Sequence, residues 1–178
     1  MIKKITLAAC LLLSGCTGLP EGIEPVKAFD SDRYLGTWYE IARLDHGFER
    51  GMSHVTAEYF ARDDGGIRVI NRGYDTKSGE WREAEGKAYL MGSPEEGHLK
   101  VSFFGPFYGS YAIFELDHSD YQYAFVAGNS TDYLWLLART PSISEELKNA
   151  FVSKSRALGF PVDDLFFVNH EPMSAGES

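Results

Sequence analysis

Five histidines, two cysteines and a scatter of carboxylates are the side chains here able to do chemistry, and their spacing permits little of it. His46, His54, His98, His118 and His170 stand singly, without the short spacings that bring two imidazoles to one metal ion, so no metal site is expected. Cys10 and Cys16 both lie at the start of the chain, leaving the rest without a thiol or a disulfide. One carboxylate is oddly placed. In YLGTWYEIAR, residues 34–43, strand alternation puts Glu40 on the same face as Trp38 and Ala42. An inward carboxylate is either a raised-pKa acid or, more often, a neutralised group tied into buried hydrogen bonds. No base–nucleophile pair accompanies it, so the reading is a binding protein rather than an enzyme.

The elements that must position Glu40 are short and alternating. Candidate strands are 37–44, 53–62, 66–74, 81–91, 97–104, 110–116, 121–128 and 133–139. Their links, DDGG, DTKSG, GSPEEG, GPFYG and DHSD, are hairpin-sized and rich in residues that tolerate positive φ. Eight sequential strands without room for a crossover helix predict an antiparallel meander, and closing it into a barrel removes both edges. Beyond the strands, Ile143, Leu147, Ala150, Phe151 and Leu158 share one helical face. Ser142 and Glu145 fit a capping box, and Gly159 with Pro161 fits a stop. That helix needs an outer patch to lie on, which Leu134 and Leu136 can supply, and DLFFVNH reads as a short final edge strand.

An eight-stranded barrel can be filled by side chains or can hold one small ligand. With Trp38 inward, the inner face offers Ala42, Val55, Ala57, Tyr59, Val69, Asn71, Ala88, Leu99, Val101, Phe103, Tyr111, Ile113, Val126 and Trp135. Several are too small to fill the interior, and aromatics among small aliphatics with a few polar atoms line apolar-ligand pockets. An ordinary core with chance alanines and glycines is the competing reading, because a register error flips a whole face. The pleat puts Arg43, Arg62, Arg72 and Lys87 outward, as solvated charges. Phe48, Phe107 and Tyr108, in loops at the expected open end, form a candidate apolar lip.

The formal net charge of −9 disfavours nucleic acid as a partner. Residues 1–15 run from a basic MIKK through a short apolar stretch to small residues, the order of an export signal rather than of a membrane span. Leu13-Ser14-Gly15-Cys16 closely resembles the bacterial lipobox. That resemblance implies cleavage before Cys16 and lipidation of it, and Thr17 in place of the aspartate of inner-membrane retention implies the outer membrane. Residues 16–28 then read as a tether, 29–170 as the domain and 171–178 as a tail.

The motifs match a family. Gly36-Thr37-Trp38 resembles the first lipocalin signature, Thr131-Asp132-Tyr133 the second, and Arg139 the solitary arginine of the third. Similarity is strongest to the bacterial outer-membrane lipoprotein lipocalins, relatives of apolipoprotein D. It implies an all-β fold: an eight-stranded antiparallel up-and-down barrel with a C-terminal α-helix packed outside. It further implies that Gly36, Trp38 and Arg139 close one end by a cation–π contact. Fatty acids or lysophospholipids would be the ligands, no cofactor would be needed, and the protein would form a homodimer serving lipid storage or transport in envelope maintenance under stress. Two other readings stay open: a lipocalin-fold enzyme acting on a lipid or prenoid, and a structural lipoprotein that spaces envelope components.

Overall fold

A computed structural model describes residues 18–47 and 49–173; the leader, Cys16 and Phe48 lie outside them. Eight strands run in order: β1 (Gly36–Leu44), β2 (Met52–Ala61), β3 (Ile67–Asp75), β4 (Glu80–Leu90), β5 (His98–Ser102), β6 (Gly109–Leu116), β7 (Tyr123–Ala127) and β8 (Leu134–Ala138). Each pairs antiparallel with the next, and β1 pairs with both β2 and β8, which closes the sheet. Closure leaves no open strand edge in the lower wall.

A short helix, α1 (Ser31–Tyr34), precedes the barrel, its N-terminal amides held by the Asp30 carboxylate. The segment read as a tether is partly docked. Ile23 is buried, and Val26 exchanges backbone hydrogen bonds with Ile113 and Gly97 at 2.8 and 2.9 Å.

The second helix, α2 (Glu145–Ala157), is capped by Ser144, whose hydroxyl accepts from the Leu147 amide at 3.2 Å. Ser142 is therefore not the cap. The chain stays extended through Ser144, so Glu145 opens the helix instead of closing a capping box three residues in. Phe151 is fully buried and meets Phe125 edge-on, ring centroids 5.0 Å apart, over a patch that includes Leu134 and Leu136. Burying a phenyl this way contributes about 2–3 kcal/mol.

The upper wall departs from regular alternation. Glu40 pairs with Leu137 but Ala42 pairs with Leu136, so Ile41 is an extra residue and β1 carries a bulge. Past it the faces exchange. Ala42 joins the outer cluster under α2 and Arg43 comes to lie opposite Trp135. Both assignments made from strict alternation, Ala42 as a cavity residue and Arg43 as a solvated one, are thereby reversed. Strand β2 has its own register shift between Ser53 and Thr56, and β1 and β2 pair only from Gly36 to Tyr39. The gap above is filled by β9 (Leu165–Phe167), which pairs with Ala42, Arg43 and Leu44. Beyond it, Asn169 accepts from the His54 amide at 2.8 Å, and His170 Nε2 lies 2.8 Å from the Glu40 carbonyl.

Candidate functional site

The lower barrel is solid. Trp38 is fully buried and donates through Nε1 to the Tyr34 carbonyl at 2.8 Å. The Arg139 guanidinium carbon lies 3.9 Å from the Trp38 ring centroid. It donates to the carbonyls of Thr37, Arg33 and Tyr121 at 2.9, 2.8 and 3.2 Å. Gly36, at φ +91°, takes the left-handed conformation that turns the chain beneath this arginine. Above, the Tyr111 hydroxyl sits between those of Tyr34 and Tyr59 at 2.8 and 3.0 Å. Burial pushes all three phenols up, Tyr59 to about 12, so they remain neutral hydrogen-bonding groups.

Over that floor lies a cavity of about 270 Å³. Nine of the inward residues read from sequence line it: Val55, Ala57, Tyr59, Val69, Asn71, Val101, Phe103, Tyr111 and Trp135. Four others, Ala88, Leu99, Ile113 and Val126, are packed in the filled half below, and Ala42 is outside. Gly86 leaves room for Phe103, since a Cβ there would come 2.8 Å from its ring. Open cavity and packed core thus coexist in one barrel, stacked along its axis.

The site list read from sequence missed most polar lining: Glu49, Thr56, Ser110 and Asn129, with Glu40 left unassigned and Tyr133 omitted. Arg43 organises the two glutamates. It donates to a Glu40 carboxylate oxygen at 2.8 Å and to the Glu49 carbonyl at 2.7 Å, with Asp45 3.6 Å from its Nε. The Glu49 carboxyl accepts from Trp135 Nε1 at 3.2 Å and is hydrogen-bonded to Glu40. Both carboxyls are buried, at 4% and 7% exposure. Burial raises the pKa of Glu40 against the opposing pull of Arg43. Burial and the Glu40 charge raise Glu49 well above the usual carboxylate range. Both shifts have the same sign and belong to the pair: burial favours its protonated form, and Arg43 opposes that.

His46 lies against Tyr133 and Trp135, ring centroids 5.1 and 5.2 Å away. Burial and the nearby Arg43 lower its pKa to about 4. Its 3.5 Å approach to Glu49 is consequently not an ion pair at neutral pH.

The only sequence signal for this arrangement was Glu40 itself. Nothing in IARL announces an inserted residue, and Glu40 with Arg43 at i+3 reads as opposite faces of a regular strand.

A barrel sealed at one end by arginine on tryptophan, with a hollow upper half, agrees with what the comparisons give. The lipocalin-like domain family matches residues 29–170. This chain belongs to the lipocalin-like family. It is 54% identical over 171 residues to the outer membrane lipoprotein Blc of Vibrio cholerae, covering 96% of this chain and 100% of that one. Identity to the Escherichia coli K12 protein of the same name is 51% over 168 residues, 94% of each. Among solved structures, insecticyanin of Manduca sexta superposes with a TM-score of 0.68 at 18% identity, covering 90% of this chain and 89% of that one, and shows the shared lipocalin fold.

Proposed function

We propose that this protein is a lipid carrier anchored to the outer membrane through Cys16, holding one lipid in the upper half of its barrel. The observation that carries this reading is the cavity: mostly apolar walls on a sealed floor, with a few polar side chains among them. Withdrawing an acyl chain from water supplies the affinity, at roughly 25 cal/mol per Å² of apolar surface, with no covalent step. The names of the Vibrio cholerae and Escherichia coli relatives, outer membrane lipoproteins both, support the anchor and the compartment. Neither name carries an enzymatic activity.

Fatty acids or lysophospholipids are the ligands we infer, and storage or transport of lipid for envelope maintenance under stress the role. The rim favours exchange with a bilayer. Phe104 and Phe107, 79% and 78% exposed, stand on the loop between β5 and β6, whose neighbours Phe103 and Gly109 line the cavity. Tyr108 instead lies against the outer wall, 5.1 Å from Lys100 Nζ. Replacing Phe104 and Phe107 with serine should slow lipid uptake from vesicles while changing stability by less than about 0.5 kcal/mol; an unchanged uptake rate refutes the role of the rim. Native mass spectrometry of the purified protein tests the carrier itself. One bound lipid per chain is expected, and a protein that neither retains nor takes up lipid defeats the reading. The same spectrum reports whether the chain is a homodimer.

A further inference from the structure

The cavity is unbalanced in charge. Glu40 and Glu49 line it, and among the described lining residues there is no lysine, arginine or histidine. The nearest guanidinium, Arg43, is fully buried behind the wall with two of its nitrogens spent on Glu40 and on the Glu49 backbone. A second, separate feature has the same sense: Asn71 Oδ1, also in the lining residues, is a buried acceptor without a donor. The indole N–H of Trp135 is already committed to Glu49. What the described lining residues do not supply is a positive charge, and an occupant can bring one.

We propose that the cavity selects amphiphiles whose head carries an ammonium group, held with Glu49 and Glu40 as counter-charges and the Tyr133 and Trp135 rings beside it. Resting on the lipid-carrier reading, this names the head the site prefers. Aromatic faces next to carboxylates are how alkylammonium groups are recognised, and exclusion of water strengthens both contacts. A free carboxylate head is the weaker ligand, because it would meet the two acids while the nearest cation, Arg43, is already bonded to Glu40.

Proton balance gives the proposal a signature. The groups facing Glu49 are Glu40 and Arg43 from β1, Asp45 and His46 from the β1–β2 loop, and Tyr133 and Trp135 from β8. Tyr59 of β2 stands below. Burial raises the pKa of both members of the Glu40–Glu49 pair, whereas that of His46 is lowered to about 4. An ammonium beside the pair favours its ionised form, so binding should release a proton to buffer.

Three probes with the same twelve-carbon chain test this on purified, delipidated protein: dodecyltrimethylammonium, dodecanol and dodecanoate. By isothermal titration in two buffers of different ionisation enthalpy at pH 7.5, the ammonium probe should bind about tenfold or more tighter than dodecanoate and release close to one proton. Its affinity should rise with pH, whereas that of dodecanol should not. Glu49→Gln, which keeps the hydrogen bonds and removes the titration, should abolish proton release and bring the two charged probes within about threefold. Glu40→Gln is the companion variant, each checked for native near-UV circular dichroism. Equal binding of the charged probes by wild-type protein, or tight ammonium binding without proton release, overturns the proposal and leaves the carrier intact if dodecanol still binds. Failure of dodecanol to bind overturns both.

Discussion

Two arginines meet the inside of this barrel, and they are used in opposite ways. Arg139, at the closed end, lies on Trp38 and donates to three backbone carbonyls. Its partners are dipoles and a ring face, so it seals without bringing in another charge. Arg43, on the cavity side, is buried with two carboxyl groups. Its surroundings form an ionic set in which burial raises the pKa of both carboxyls. The floor is therefore built to be indifferent to pH, and the cavity wall is built to respond to it.

The sharpest way to break this contrast is to remove each arginine. Arg43→Met should cost about 3–5 kcal/mol at pH 8, because it leaves buried carboxyls without their counter-charge. The loss should shrink at pH 5.5, because protonation of the raised carboxyls removes the uncompensated charge; urea unfolding at the two pH values checks it. An effect equal at both would mean that Arg43 matters by packing alone. His46 offers the next largest effect. Its pKa, lowered to about 4, means that the unfolded chain binds its proton first as pH falls. Stability should accordingly drop between pH 6.5 and 4, and His46→Phe should remove about 2 kcal/mol of that drop. The glutamates act in the other direction: with raised pKa values in the fold, they withdraw stability as pH rises above the ordinary carboxylate range. Smallest is Arg139→Met, expected at about 1–2 kcal/mol from the lost cation–π contact and carbonyl bonds, and unchanged between pH 5.5 and 8. A pH-dependent loss there would erase the distinction between the two ends.

The two regions also differ in how well the sequence discloses them. The closed end is written in local motifs: Gly36-Thr37-Trp38 and Arg139 lie where period-two alternation still holds, and their geometry follows from strand order. Barrel, outer helix and final edge strand were legible for the same reason, since apolar periodicity specifies them. Alternation fails past Glu40, because one inserted residue reverses every face beyond it. Ala42 and Arg43 were misassigned together by that single step. Glu49 had no signal at all. It sits in a loop, and only the long-range meeting of that loop with β8 brings its carboxyl to Trp135. Ala88, Leu99, Ile113 and Val126 were placed on the correct face but at the wrong height, which pleat alone does not encode.

The hollow upper half over a solid floor is tested most directly by fluorescence. Trp135 lines the cavity, whereas Trp38 is buried below it and Trp81 is exposed on β4. In a Trp81→Phe background, one equivalent of a long-chain alcohol brominated along its chain should quench Trp135, read in the Trp38→Phe variant, and leave Trp38, read in the Trp135→Phe variant, close to unquenched. Quenching of Trp38 alone, or of neither tryptophan, would contradict a ligand chamber above a sealed floor.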